Sequence, residues 1–182
     1  MTPLSVLFVC TANICRSPYM ELVARHALGP ESPVEVASAG THGFIDSPMN
    51  SVMAARLHDV DHSGFRSRRL TMDMVDEADL VLAAESSHRQ FILGEHPAAF
   101  RKVFTLGQFA EAVRRAETHD TGVELVNAVG SMSGIVQLNL DVADPYARGP
   151  RAAAACAEHI DDLLWVVLPA LAGPPKTPEE TP

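Results

Sequence analysis

Apolar and polar positions divide the chain into alternating strand-like and helix-like segments. Leu4-Ser5-Val6-Leu7-Phe8-Val9 is almost continuously apolar, the pattern of a strand covered on both faces of a parallel sheet. From Tyr19 to Leu28 the period changes: Met20, Val23, Ala24, Ala27 and Leu28 recur at i, i+3, i+4, i+7 and i+8, one stripe of a helix. Ser17 and Pro18 mark its start, a hydroxyl acceptor at the N-cap and a ring without an N–H at the first helical position. Beyond the turn cluster Gly29-Pro30-Glu31-Ser32-Pro33, Val34 to Ala37 alternates like a second strand. Pro48 to His58 then reads as a helix with Val52, Met53 and Ala55 facing inward. Thr71 caps a short helix running to Glu77. Asp79 to Ala83 and Lys102 to Leu106 are strands, each followed by a helix, Ser86 to Leu93 and Gly107 to Ala116. A helix over Gly122 to Val129, a turn at Gly130-Ser131-Met132-Ser133-Gly134 and a final helix from Pro150 to Leu171 complete the series. That last helix has an apolar side through Ala154, Ile160, Leu164 and Val167.

This alternation predicts an α/β fold, a doubly wound four-stranded parallel sheet with helices on both faces. Residues 1–172 form one domain in this reading, and the proline-rich, acidic tail 173–182 is expected to be disordered. The segment 117–140 receives no role, and there are no internal repeats.

Composition narrows the class. A formal charge of −9 argues against nucleic acid or an anionic membrane as main partner, so an anionic substrate must be drawn by a local basic site. No stretch reaches the roughly 20 apolar residues of a membrane span, and the first apolar run is too short for a signal peptide. Three cysteines fit a reducing compartment, and a cytoplasmic protein is expected. His58 and His62 are four apart, but Asp59, Asp61 and Gly64 end the helix between them, so no metal is expected there. No cofactor is expected either.

The candidate chemistry lies where the first strand gives way to the first helix, at Val9-Cys10-Thr11-Ala12-Asn13-Ile14-Cys15-Arg16-Ser17-Pro18. Free backbone N–H groups and the positive end of a helix dipole converge on such a loop, so it is the phosphate-binding loop of this reading. Cysteines in settings of this kind fall from about 8.5 to roughly 3.5–7.5 in pKa, which makes Cys10 a candidate nucleophile. Arg16 adds a planar, permanently charged fork that matches two phosphate oxygens. The loop from Ser38 to Phe44 begins where the second strand ends and can lie beside this one, as ligand loops do in open α/β sheets. Farther on, Pro145 restricts Asp144 to an extended conformation that projects its carboxyl outward. A carboxylic acid beside a bound phosphate dianion has a raised pKa, so Asp144 is suited to protonate a departing alkoxide or phenolate. Asp141 is its nearest competitor.

The run Val-Cys-x-x-Asn-Ile-Cys-Arg-Ser-Pro resembles the signature of the low-molecular-weight protein tyrosine phosphatases. The resemblance extends to Ser38-Ala39-Gly40-Thr41 followed by an aromatic, to Ser63-Gly64-Phe65-Arg66-Ser67-Arg68, and to Asp144-Pro145-Tyr146. It implies a phosphatase acting on phosphotyrosine or similar monoesters through a cysteinyl-phosphate, its partner a phosphorylated protein or small phosphoester. Cys10 is then the nucleophile, Arg16 the phosphate clamp and Asp144 the general acid and base. Thr11, Ala12, Asn13, Ile14, Cys15 and Ser17 form the phosphate loop, with Asn13 holding its shape and Ser17 hydrogen-bonding the thiolate. Ser38 buttresses the loop, and Phe44 and Tyr146 are the aromatic walls of the pocket. Two departures stand out: Ala12 replaces a usual glycine, so the loop is strained if that position needs positive φ, and Phe65 stands where many members carry histidine.

Rival readings are a protein-arginine phosphatase, an arsenate reductase sharing the fold, and a catalytically silent anion-binding module. The arginine branch tends to carry threonine where this chain has Ile14. The reductase needs two further relay cysteines, and between Cys15 and Cys156 there are none. A silent module would lack the nucleophile or the acid, and both are present. Cys10 and Cys15 are also near enough in the loop to form a protective disulfide on oxidation; the alternative for Cys15 is a buried spacer.

Overall fold

The computed structural model describes residues 3–116, 118–132 and 140–173. Most of the expected tail, and Ser133 and Gly134 of the expected turn, lie outside the described residues.

Four strands, β1 (Leu4–Cys10), β2 (Val34–Gly40), β3 (Leu80–Ala83) and β4 (Val103–Thr105), form one parallel sheet in the order β2-β1-β3-β4. The order reverses at β1, whose carboxyl end therefore opens at the switch point where open α/β sheets bind ligands. Alternate side chains of β1 serve opposite faces. Val6 and Phe8 join Leu80, Leu82 and Phe104 against α1 (Arg16–Leu28), α5 (Leu106–Arg115) and α7 (Gly149–Ala172). Leu7 and Val9 join Val81 and Val103 against α3 (Met72–Glu77) and α4 (Ser86–Glu95). Helices therefore cover both faces. The single turn α2 (Ser51–Ala54), a 3₁₀ turn at Pro97–Arg101 and α6 (Gly122–Gly130) complete the order. No helix among the described residues is long and apolar enough to cross a membrane.

Four local expectations are corrected. Ser17 is not the N-cap: α1 begins at Arg16 with Cys15 as its cap, and the Ser17 hydroxyl serves the site instead. The first turns of α1 are buried on every side, from Arg16 to Leu22, because the helix packs on β1 and β2 and is covered in turn by α7 and α2; Ala27 is exposed. The helix expected over Pro48 to His58 is only the turn Ser51–Ala54 capped by Asn50. Met53, Ala54 and Leu57 face inward, whereas Val52 and Ala55 are exposed, and His58 turns the chain at φ 45°. Finally β2 runs through Ser38 to Gly40, so Ser38 is a strand residue held by pairing with β1.

Candidate active site

β1 ends at Cys10 and α1 begins at Arg16, and the backbone between them curls around the helix N-terminus. The curl requires one left-handed residue, which is Asn13 at φ 53°, a residue type that visits this region at modest cost. Ala12 needs no positive φ, so glycine is not demanded there. Asn13 is fully buried and its side chain is saturated. Nδ2 donates to Ser17 Oγ at 2.9 Å and to Ser38 Oγ at 2.8 Å, and Oδ1 accepts from the Arg68 backbone N–H at 2.9 Å. Arg68 Nε also donates to the Ser38 carbonyl at 2.8 Å. The segment in which Phe65 replaces a histidine thus still supports the loop, through Arg68. Arg66, Arg68 and Arg69 are otherwise exposed, as a solvated face requires.

Cys10 Sγ lies 3.0 Å from Ser17 Oγ. Because Ser17 Oγ already accepts from Asn13, its own proton is free to point at sulfur, the nearer of its remaining partners; the Ala39 carbonyl is at 3.4 Å. Ser38 Oγ, which accepts from Asn13, donates to the Glu21 carboxylate, so the buttress continues into α1. The carboxyl end of β2 lies against this loop with no space to spare. A Cβ on Gly40 would meet the Thr11 carbonyl oxygen at 2.7 Å and the Asn13 nitrogen at 2.9 Å.

Arg16 is 2% exposed, yet its guanidinium is only partly consumed. NH1 is held by the Glu85 carboxylate and by the Val142 carbonyl at 3.0 Å. NH2 lies 3.3 Å from Asp144 Oδ1, and Nε has no hydrogen-bond partner among the described residues. NH1 is therefore the anchor, while the second edge, with Nε unpartnered and NH2 in the looser contact with Asp144, has the bidentate geometry that suits phosphate. Burial works against the Arg16 charge, but Cys10, Glu85 and Asp144 outweigh it and raise the pKa above the ordinary arginine value. Burial also opposes the Glu85 charge, and the Arg16 hydrogen bond and charge overcome it, holding Glu85 below the usual carboxylate range.

Asp141 is tied to the β3–α4 turn: its Oδ1 accepts from both the backbone N–H and the hydroxyl of Ser86, each at 2.8 Å. Asp144 is half exposed and faces Arg16. Phe44 and Tyr146 are half exposed rather than core aromatics, with Ile45 also exposed. Tyr146 and Pro145 line a cleft of about 240 Å³ with Asn50 and Val52, and the Asn50 backbone is bonded to the Ile14 carbonyl. A larger cavity of about 600 Å³, lined by His58, His62 and Arg66 among others, includes none of the residues named for the chemistry. Burial, and then Cys10, push the Cys15 thiol up to about 12; burial does the same for Cys156. Both thiols are therefore held in the protonated form at neutral pH.

Glu85 and His88, at the β3–α4 turn, are site neighbours absent from the sequence reading. His88 Nε2 lies 2.8 Å from Thr11 Oγ1, and its Nδ1 accepts the Glu85 backbone N–H at 3.2 Å. Glu85, with His88 three residues on, forms a capping box. Glu-x-x-His is not the Ser/Thr-x-x-Glu/Gln pattern by which a capping box is read from sequence, so the residues draw no notice there.

Comparison with known proteins agrees with this geometry. Residues 5–124 match the family model of the low molecular weight phosphotyrosine protein phosphatases, a span that includes the phosphate loop and the Glu85–His88 turn. The low molecular weight protein-tyrosine-phosphatase Etp of Escherichia coli K12 is 39% identical over 109 residues, 59% of this chain and 72% of that protein. A low molecular weight protein-tyrosine-phosphatase of Streptomyces coelicolor is 31% identical over 174 residues, 91% of this chain and 92% of its own length. Among solved structures, the YwlE arginine phosphatase from Geobacillus stearothermophilus superposes with a TM-score of 0.71 at 27% identity, covering 91% of each chain. With the motif, the parallel sheet and these matches in agreement, the chain belongs to the low molecular weight phosphotyrosine protein phosphatase family and is a phosphatase.

Proposed function

We propose that this phosphatase hydrolyses phosphotyrosine in proteins, or a similar aryl phosphate, through a cysteinyl-phosphate on Cys10. The observation that carries the reading is the unpartnered, buried Nε of Arg16 on the same loop as the hydrogen-bonded Cys10–Ser17 pair. A phosphoryl group seated in the loop would have its equatorial oxygens on backbone N–H groups and on Arg16 Nε and NH2, where charge must be stabilised during transfer. Cys10 attacks phosphorus, the P–O bond to the leaving group breaks, and Asp144 gives the departing oxygen its proton. Asp144 then takes a proton from water as that water displaces the cysteine sulfur, releasing phosphate. Ser17 hydrogen-bonds the sulfur as nucleophile and as leaving group. Thr11, Ala12, Ile14 and Cys15 supply the curved backbone, and Phe44 and Tyr146 flank the substrate ring. Three unpaired thiols, Cys10, Cys15 and Cys156, suit a reducing compartment such as the cytoplasm.

Phosphoarginine is the second reading, kept in view by the likeness to an arginine phosphatase. Ile14, where that branch tends to carry threonine, supports the aryl ester. Steady-state hydrolysis of para-nitrophenyl phosphate and of matched phosphotyrosine, phosphoarginine and phosphoserine peptides tests both. Wild type should turn over the aryl ester and prefer the phosphotyrosine peptide, with Cys10→Ser inactive. A preference for phosphoarginine would overturn the substrate, and equal activity of Cys10→Ser would overturn the mechanism.

A further inference from the structure

The turn that leaves β3 contacts both the phosphate loop and the segment that carries Asp141 and Val142. The Ala84 carbonyl accepts the Val142 N–H at 2.8 Å, Ser86 holds Asp141, and Glu85 holds Arg16. His88, 4% exposed, completes the set by reaching Thr11, the residue after the nucleophile. The hydrogen-bond directions around its ring are forced. A backbone N–H can only donate, so Nδ1, facing the Glu85 N–H, carries a lone pair. The proton is then on Nε2, and the ring donates to Thr11 Oγ1, which accepts. Burial, followed by the charge of Arg16, lowers the His88 pKa to about 4, so this neutral tautomer persists at physiological pH.

We propose that His88 is a positioning residue for the phosphatase reaction, an imidazole strut that fixes Thr11, and with it the first turn of the phosphate loop, against the N-terminus of α4. The proposal rests on the Cys10 mechanism above. Residues 85–88 then grip the loop twice: the Glu85 carboxylate holds Arg16 where the loop enters α1, and the His88 ring holds Thr11 just past Cys10. Phosphate oxygens lose charge stabilisation if the backbone N–H groups between those points drift, and drift of this size affects the transition state more than ground-state binding. Thr11 is exposed and gains nothing from burial, so the bond to His88 is the side-chain restraint the structure gives it.

A double-mutant cycle on His88 and Thr11 tests the strut, with para-nitrophenyl phosphate as substrate and inorganic phosphate as inhibitor. His88→Leu and Thr11→Val should each lower kcat roughly fivefold to tenfold, the scale of one intramolecular hydrogen bond whose loss is felt in the transition state, with KM changing less. The double variant should be no slower than the worse single variant, because both remove the same bond. His88→Gln, whose amide N–H can reach toward Thr11, should recover part of the loss. Ile92→Val, fully buried on the same helix, controls for stability: it should lower Tm while leaving kcat unchanged. Multiplicative losses in the double variant, wild-type kcat in His88→Leu, or a His88→Gln no better than His88→Leu would each overturn the strut. Should His88→Leu not fold, Thr11→Val paired with His88→Gln carries the same cycle. Wild type is first compared with Cys10→Ser, so that failure of the phosphatase mechanism is read separately from failure of the strut.

Discussion

Arg16 shows why a guanidinium, and not an ammonium, stands at this position. Its NH1 is spent on Glu85 and the Val142 carbonyl, and only a planar fork then has a second edge to offer. Arg16→Lys supplies one point charge that cannot serve as anchor and clamp together. We expect kcat/KM for para-nitrophenyl phosphate to fall about 10²–10³-fold with the fold retained, and inhibition by phosphate to weaken. Asp144→Asn should cut kcat by roughly 10²–10⁴-fold and steepen the dependence on leaving-group basicity, since the departing oxygen must then leave without a proton from this side chain. Cys156→Ala should leave turnover of the same ester unchanged, because this thiol is buried and protonated and no relay passes through it; arsenate-dependent loss in that variant would revive the reductase reading. At this scale much of the site is legible in sequence. Cys10, Asn13, Arg16 and Ser17 act within one loop, so their spacing carries their geometry. Glu85 and His88 are not legible, because β3 pairing beside β1 brings them to the loop from far along the chain.

Elements succeed or fail as readings according to how much of their environment is local. The strands are plain in the sequence because both faces of a parallel sheet are buried and near-continuous apolar runs follow. The α1 stripe is too narrow as read, because α7 and α2 cover the helix on the side away from the sheet. Met53, Ala54 and Leu57 are the buried positions near α2, whereas a helical period drawn through Val52 and Ala55 is displaced by one residue. Asn50 and the left-handed His58 leave room for little more than a turn there. The end of β2 supplies the sharpest test of element packing. Gly40→Ala introduces a Cβ under 3 Å from three backbone atoms of the phosphate loop, Thr11 O, Ala12 C and Asn13 N. No flexible side chain can yield, so the loop itself must shift. The expected result is a protein with a native far-ultraviolet circular dichroism spectrum and at least tenfold lower kcat, since a displacement near 1 Å in such a site costs about 10²-fold.

For the whole molecule, pH links the site to stability. His88 is neutral in the fold and titrates near 6.5 when exposed, against about 4 in place. Above pH 6.5 neither state binds the proton and His88 costs nothing; as pH falls toward 4, the unfolded chain takes a proton that the folded ring refuses. Stability should therefore decline across that window, and the decline should be shallower in His88→Gln when Tm is followed against pH. Burial is the main cause of the depressed value; the Arg16 charge adds to it, and Glu85, Asp141 and Asp144 oppose it. The global charge of −9 repels a dianionic substrate at long range. Attraction comes from the buried Arg16 and the loop amides, so kcat/KM for a phosphotyrosine peptide should rise modestly with added salt before ion competition lowers it.

In this mechanism the phosphoryl group passes to the Cys10 sulfur before it reaches water. Rapid acid quench of the wild-type enzyme during turnover of para-nitrophenyl phosphate, followed by peptide mass spectrometry, reads it directly. A phosphate adduct on Cys10 that accumulates further in Asp144→Ala is the result the geometry requires. A burst of nitrophenol with no adduct on Cys10, or an adduct on Ser17 or Cys15 instead, would contradict it.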